Sequence, residues 1–257
     1  MKQKELTSLL DDFLQASPLN KVEEIGIERI FDEPLVGIAE AHDSLFGIFK
    51  DPEVIGPNHL TPQEWLPEAE SVISYFLPFS EPMRKANYPP GLPAIEWVYG
   101  RIEGELCNEG LRQHLVAKFS DKGYSALAPA LDPRYATVKK RSNWSERHVA
   151  FVAGLGTFGL TKLLISAKGC AGRYGSIIVS QKIEPTPRSY KDVYEYCSNC
   201  YQCIDRCPSG AIKKEGKDIW TCSKYGDTEI KPRYAPRYGC GKCQTAVPCE
   251  ASIPKEE

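Results

Sequence analysis

Between residues 197 and 212 the chain reads CSNCYQCIDRCPSGAI, which spaces Cys197, Cys200, Cys203 and Cys207 as C-x2-C-x2-C-x3-C-P. Thiolates at these intervals suit [4Fe–4S] cubanes: the first three hold one cluster and the fourth reaches a different one. Each cluster then lacks ligands, and the sequence downstream supplies Cys222, Cys240, Cys243 and Cys249. Cross-ligation assigns Cys197, Cys200, Cys203 and Cys249 to cluster 1, and Cys207, Cys222, Cys240 and Cys243 to cluster 2. Pro208 suits the first position of a short helix after Cys207. The late run CGKCQTAVPC is irregular: its last cysteine comes after five residues, and Ala246 stands where a duplicated motif would carry a thiolate. Without Cys222 the ligand count would fail. Two zinc sites or a redox disulfide set would use the same residue type, but zinc sites favour two separated C-x2-C knuckles.

Of the ten cysteines, eight lie between Cys197 and Cys249, whereas a disulfide scaffold spreads them along the chain. Cys107 and Cys170 stand outside the ligand count and read as passive buried thiols. The 257 residues are enough for one sizeable domain and a small one, and 42% apolar residues allow a proper core. A net charge of −2 gives no electrostatic case for nucleic acid or an acidic membrane. No apolar stretch approaches the roughly 20 residues that span a bilayer. The N-terminus, MKQKELTSLLDDFLQAS, is an acid-containing amphipathic pattern rather than a signal peptide, so a cytoplasmic location is expected.

The elements that must carry the cysteines follow from periodicity. Residues 2–17 read as a helix with Leu6, Leu9, Leu10, Phe13 and Leu14 on one face. LVGIAEA (35–41) and SVISYFLPF (71–79) read as buried strands, a long helix falls within 93–122, and YSALAPAL (124–131) as another strand. ERHVAFVAG (146–154) reads helical, GLGTFGL as a loop, and KLLIS (162–166) and GSIIVS (175–180) as strands. Alternating helices and strands favour an α/β or α+β layered domain. The polar segment 181–192, with two prolines, marks a boundary between a domain over 1–185 and a second over 186–257. That second segment has little apolar material, so metal is expected to supply its core.

GLGTFG (154–159) satisfies G-x-G-x-x-G, but a helix-like stretch precedes it and a strand-like one follows, the reverse of a dinucleotide fingerprint. The glycines serve either a tight turn or the close approach of a large flat ligand.

SERHVAFVAGLGTFGLTKLLIS, then GCAGRYGSIIVS, then the four-cysteine run resemble the epoxyqueuosine reductases and, more distantly, the reductive dehalogenases. LPEAESVISYFLPF resembles that family's early strand, and the similarity covers roughly residues 20 to 250. The resemblance implies a nitroreductase-like α/β core that holds a cobalamin, with a ferredoxin-like double [4Fe–4S] domain beside it. It implies a reductive reaction in which the clusters feed electrons to the corrinoid. Gly154, Leu155, Gly156, Thr157, Gly159 and Arg173 are then the expected corrinoid contacts.

The pattern departs from the family in two places. Ungapped alignment on Glu146 puts Lys140 where epoxyqueuosine reductases carry an aspartate, and the chain ends at Glu257 without their C-terminal helical repeats. With the acidic net charge, these departures argue against tRNA. Lys140, Arg141, Tyr135 and His148 become the catalytic candidates, as proton donors or anion contacts, set against a solvated run and a structural histidine. The expected partners are an electron donor such as a ferredoxin or flavodoxin, and a small-molecule substrate or a partner corrinoid protein. An electron carrier without catalysis and an epoxyqueuosine reductase remain as alternatives.

Overall fold

The computed structural model describes residues 1–255. Helix α1 (Gln3–Ala16) buries Leu6, Leu10 and Leu14, which recur every fourth residue on one face. Strand β1 (Leu35–Glu40) leads through the short helices α2 (Leu45–Ile48) and α3 (Pro62–Trp65) into β2 (Ser71–Pro78). After α4 (Glu81–Ala86), the long helix α5 (Ile95–Ser120) returns the chain to β3 (Ala126–Leu127). The expected strand over 124–131 is this short because Pro129, which has no N–H for a ladder, opens a 3-10 turn at Pro129–Leu131.

A hairpin, β4 (Thr137–Val138) and β5 (Arg141–Ser142), precedes α6 (Glu146–Val152). The glycine run, expected as a loop, instead forms β6 (Gly156–Phe158) antiparallel to β7 (Leu164–Ser166). A Cβ at Gly156 would sit 1.9 Å from the Ile165 carbonyl oxygen, so only glycine lets these backbones approach. Strand β8 (Gly172–Val179) completes an antiparallel sheet of order β1-β2-β8-β3.

All eight positions of β2 are buried, because both faces of the sheet are covered. Ile73, Tyr75 and Leu77 join the α1 and α5 side with Leu10, Leu111 and Leu115. On the opposite face Val72 and Ile178 meet Phe46, Trp65, Trp144 and Val149. The period of two along the strand sorts these residues between the faces. The protein is a mixed α/β fold.

Beyond β8 come α7 (Gln202–Asp205), the hairpin β9 (Ile212–Lys213) and β10 (Gly216–Lys217), α8 (Ile219–Tyr225) and α9 (Lys231–Tyr234). A π-turn over Gly226–Ile230 joins the last two helices. The cysteine segment has a small core, in which Cys203, Ile212 and Val247 are the buried residues. It leans on the main domain instead: Ile230 enters the main core, and Gly241 lies on the indole of Trp97.

Candidate functional site

The cysteines fall into two quartets around two cavities. Cys197, Cys200, Cys203 and Cys249 line a small apolar recess with Leu160, Ile165, Val247 and Pro254. Cys207, Cys222, Cys240 and Cys243 lie together on one wall of a cavity of about 690 Å³. The same two groups are the ligand sets that the sequence analysis proposes for clusters 1 and 2. Among the described residues no group of His, Cys, Asp or Glu is gathered closely enough to hold a single metal ion. A cubane spreads its four thiolates over separate iron corners, and a quartet of thiolates is the donor set that each one takes.

Positioning of the quartets depends on cations that the sequence reading passed over. Arg206 donates to the carbonyls of Thr245, Tyr88 and Asn87, at 3.0, 2.7 and 3.1 Å. Lys242, 1% exposed, donates to the Pro89 and Asn87 carbonyls at 2.6 and 3.1 Å. Glu250 accepts from Arg84 and Tyr88, at 3.0 and 2.9 Å. These bonds pin the loops beside Cys203, Cys243 and Cys249 to residues 79–90. Their sequence signal was slight: a cation one residue before Cys207, another inside C-x2-C, and an acid after the last cysteine.

The opposite wall of the large cavity comes from α5, α6 and β8, with Glu105, Arg112, Glu146 and Arg173. Arg112 pairs with Glu105 at 2.8 Å and with Glu146 at 3.3 Å, and Arg173 takes the other oxygen of Glu105 at 2.8 Å. Ser176 Oγ donates to Glu146 at 2.6 Å. Burial opposes the charge of Glu105, yet Arg173 and Arg112 hold its carboxyl below the ordinary value. Glu146 behaves oppositely: burial outweighs Arg112 and Ser176, so its pKa is raised. The Nε groups of Arg112 and Arg173 are buried without partners among the described residues. Such charges on a helix otherwise lined by Cys107, Leu111 and Leu115 were the available sequence signal for this network.

Of the four catalytic candidates, Tyr135 alone lines this cavity. Lys140 reaches Ser223 at 2.6 Å and lies over Trp220, tying the β4–β5 hairpin to α8. Arg141 donates to the Pro52 and Ile55 carbonyls, at 2.6 and 2.8 Å. His148 bonds Ser145 Oγ at 2.8 Å and packs against Phe49 and Phe158. Among the expected corrinoid contacts, Arg173 faces the large cavity and Gly159 the small recess. Gly154, Leu155, Gly156 and Thr157 line neither; Leu155 enters an apolar cluster with Ala150, Phe158 and Leu164.

Burial lowers the pKa of His148 to about 3, and that of His59, which stacks on Trp144, to about 4. Both bind protons more readily unfolded, where the value is near 6.5. Their contribution to stability is complete above pH 6.5 and is lost as pH falls toward 4 and 3. Between pH 7 and pH 5 each is expected to cost about 2 kcal/mol. Thermal midpoints of the anoxic protein at the two pH values check this, since a His148→Leu variant should show a smaller drop than its parent.

Cys170 is buried, its Sγ 3.8 Å from the Cys249 Sγ, and it also lines the large cavity. The hydrogen bond with Cys249 and then burial raise its pKa well above the ordinary thiol range; the same bond lowers that of Cys249.

Two thiolate quartets on a ferredoxin-type run define the class, an iron–sulfur protein, and the 4Fe-4S binding domain family matches residues 190–213. An epoxyqueuosine reductase from Bacillus cereus is 25% identical over 78% of this chain and 53% of its own. A reductive dehalogenase structure aligns with TM-score 0.58 at 16% identity, over 86% of this chain and 30% of that one. The epoxyqueuosine reductase of Bacillus subtilis aligns at 0.51 and 19% identity, over 99% and 68%. The chain is thus similar in sequence to the epoxyqueuosine reductases and shares its fold with them and with a reductive dehalogenase. It spans about half the length of the Bacillus cereus relative. No helix among the described residues is long and apolar enough to cross a membrane.

Proposed function

We propose that the chain passes electrons through two [4Fe–4S] clusters to a corrinoid in the large cavity, for a reductive step on a small substrate. The observation that carries this reading is the second quartet, which shares a cavity of about 690 Å³ with a buried charged wall. That volume lies in the range of small-molecule sites, and a cluster on the wall brings electrons to the ligand directly. The corrinoid itself rests on the likeness to the related reductases. The cavity fits it in one respect: Arg101, Arg147, Arg173 and Lys217, which line it, are donors of the kind that the acceptor-rich rim of a corrinoid takes. When bound, the group would supply one-electron and nucleophilic chemistry that no side chain offers.

The chain's own residues do the rest. Arg112 and Arg173 fix the cavity wall, and Glu105 bridges them as their shared counter-charge. Glu146, with its raised pKa, and Tyr135 are the groups placed to deliver a proton to a ligand there. A ferredoxin or flavodoxin would load the clusters; Cys200, exposed in the first quartet, marks where the electrons enter.

Anoxic protein incubated with hydroxocobalamin and passed through a desalting column should retain about one corrin per chain. Absence of corrin absorbance would leave an electron carrier that serves a partner corrinoid protein. The likeness to the epoxyqueuosine reductases favours a second reading, reduction of epoxyqueuosine in tRNA. Restoration of queuosine in a strain lacking that enzyme would establish it, and failure there with corrin bound favours the small substrate.

A further inference from the structure

We propose that Cys170 tunes cluster 1: its thiol donates a hydrogen bond to the Cys249 sulfur and raises the reduction potential of the cluster that Cys249 ligates. The inference rests on the two-cluster reading above. Cys170 belongs to neither quartet, yet its Sγ lies 3.8 Å from that of Cys249. A ligand sulfur is a thiolate and offers only acceptor capacity, so the proton between the two sulfurs belongs to Cys170.

The approach is built into the backbone. The Cys170 N–H donates to the Cys249 carbonyl at 2.9 Å, and the Ala171 N–H to the Glu250 carbonyl at 3.1 Å. Gly169, at φ +76°, allows the contact, because a Cβ there would lie 2.2 Å from the Glu250 oxygen. Glu250 is itself fixed by Arg84 and Tyr88. The two sulfurs therefore meet because residues 169–171 are locked to Cys249 and Glu250 through their backbones, and not through the chance rotamer of one side chain.

A thiol is a weak donor to a neutral acceptor, but a charged acceptor in a low-dielectric interior strengthens the bond. One-electron reduction adds a negative charge that spreads over the cluster and its ligand sulfurs. The bond is then stronger in the reduced state, and the potential rises; hydrogen bonds to sulfur are among the factors that set it. A tenfold preference for the reduced state corresponds to about 59 mV for one electron.

The test is a dithionite titration of the full chain followed by electron paramagnetic resonance, comparing the parent with Cys170→Ala and Cys170→Ser. The two clusters' signals are assigned beforehand with Cys249→Ala and Cys243→Ala variants. Alanine should lower the cluster 1 midpoint by about 59 mV, leave cluster 2 in place and keep the parent's iron content. Serine, a donor of similar size, should restore most of the shift. An unchanged midpoint overturns the proposal, as do equal shifts in both clusters, which indicate loosened packing. Loss of half the iron in Cys170→Ala also overturns it, by making Cys170 a ligand. If the parent itself lacks two cluster signals, the underlying two-cluster reading has failed instead.

Discussion

A Cys249→Ala variant, prepared without oxygen, is expected to hold about four irons per chain where the parent holds about eight, and to lose one cluster signal while keeping the other. Cys197→Ala should remove that same signal, although its residue lies at the far end of the segment. Cys207→Ala and Cys222→Ala should remove the other one. The expectation follows from the two cavities, since each variant deletes one of four thiolates around a single recess. The structural consequence should be large as well. The segment's apolar core has Cys203, Ile212 and Val247 as its buried members, so metal–thiolate bonds supply much of what packing lacks. Iron analysis and anoxic spectroscopy on the four variants decide the matter. Cys249 and Cys207 variants that lose the same signal would refute the pairing.

The second large effect is expected from Arg112→Met. Its side chain is 3% exposed, and the guanidinium holds Glu105 and Glu146 together with the carbonyl of Tyr174. Methionine preserves much of the volume but leaves Glu146 buried without its counter-charge. Breaking a buried pair in this way costs about 3–5 kcal/mol. For a chain of this length that corresponds to a fall in the thermal midpoint of roughly 10 °C. Adding Glu146→Gln should recover part of the loss, because the orphaned charge is then gone and its amide still accepts from Ser176. A midpoint within about 2 °C of the parent would mean that the network contributes little to stability. Corrin retention measured on the same variants separates a scaffold role of the network from a role in ligand binding.

From the sequence by itself came the proposed cysteine ligand sets, a helix over 2–17 that the structure has as Gln3–Ala16, and a strand over 71–79 that it has as Ser71–Pro78. These are matters of local spacing: in the C-x2-C-x2-C-x3-C-P run the first three thiolates suit one cluster and the fourth another, and apolar periods of two or four must face a core. Tertiary structure decided the rest. Lys140 and Arg141 were chosen by their position in the chain, but the β4–β5 hairpin carries them to α8 and to the Pro52 loop. The glycine run meets Ile165 and the 186–187 carbonyls rather than the large cavity. Arg112, Glu146 and Arg173 lie on three different elements and converge only because α5 and α6 pack across β8. Cys170 reaches Cys249 across 79 residues of chain. No local pattern encodes such meetings, because they depend on which faces are buried together, and that is fixed by the whole core at once.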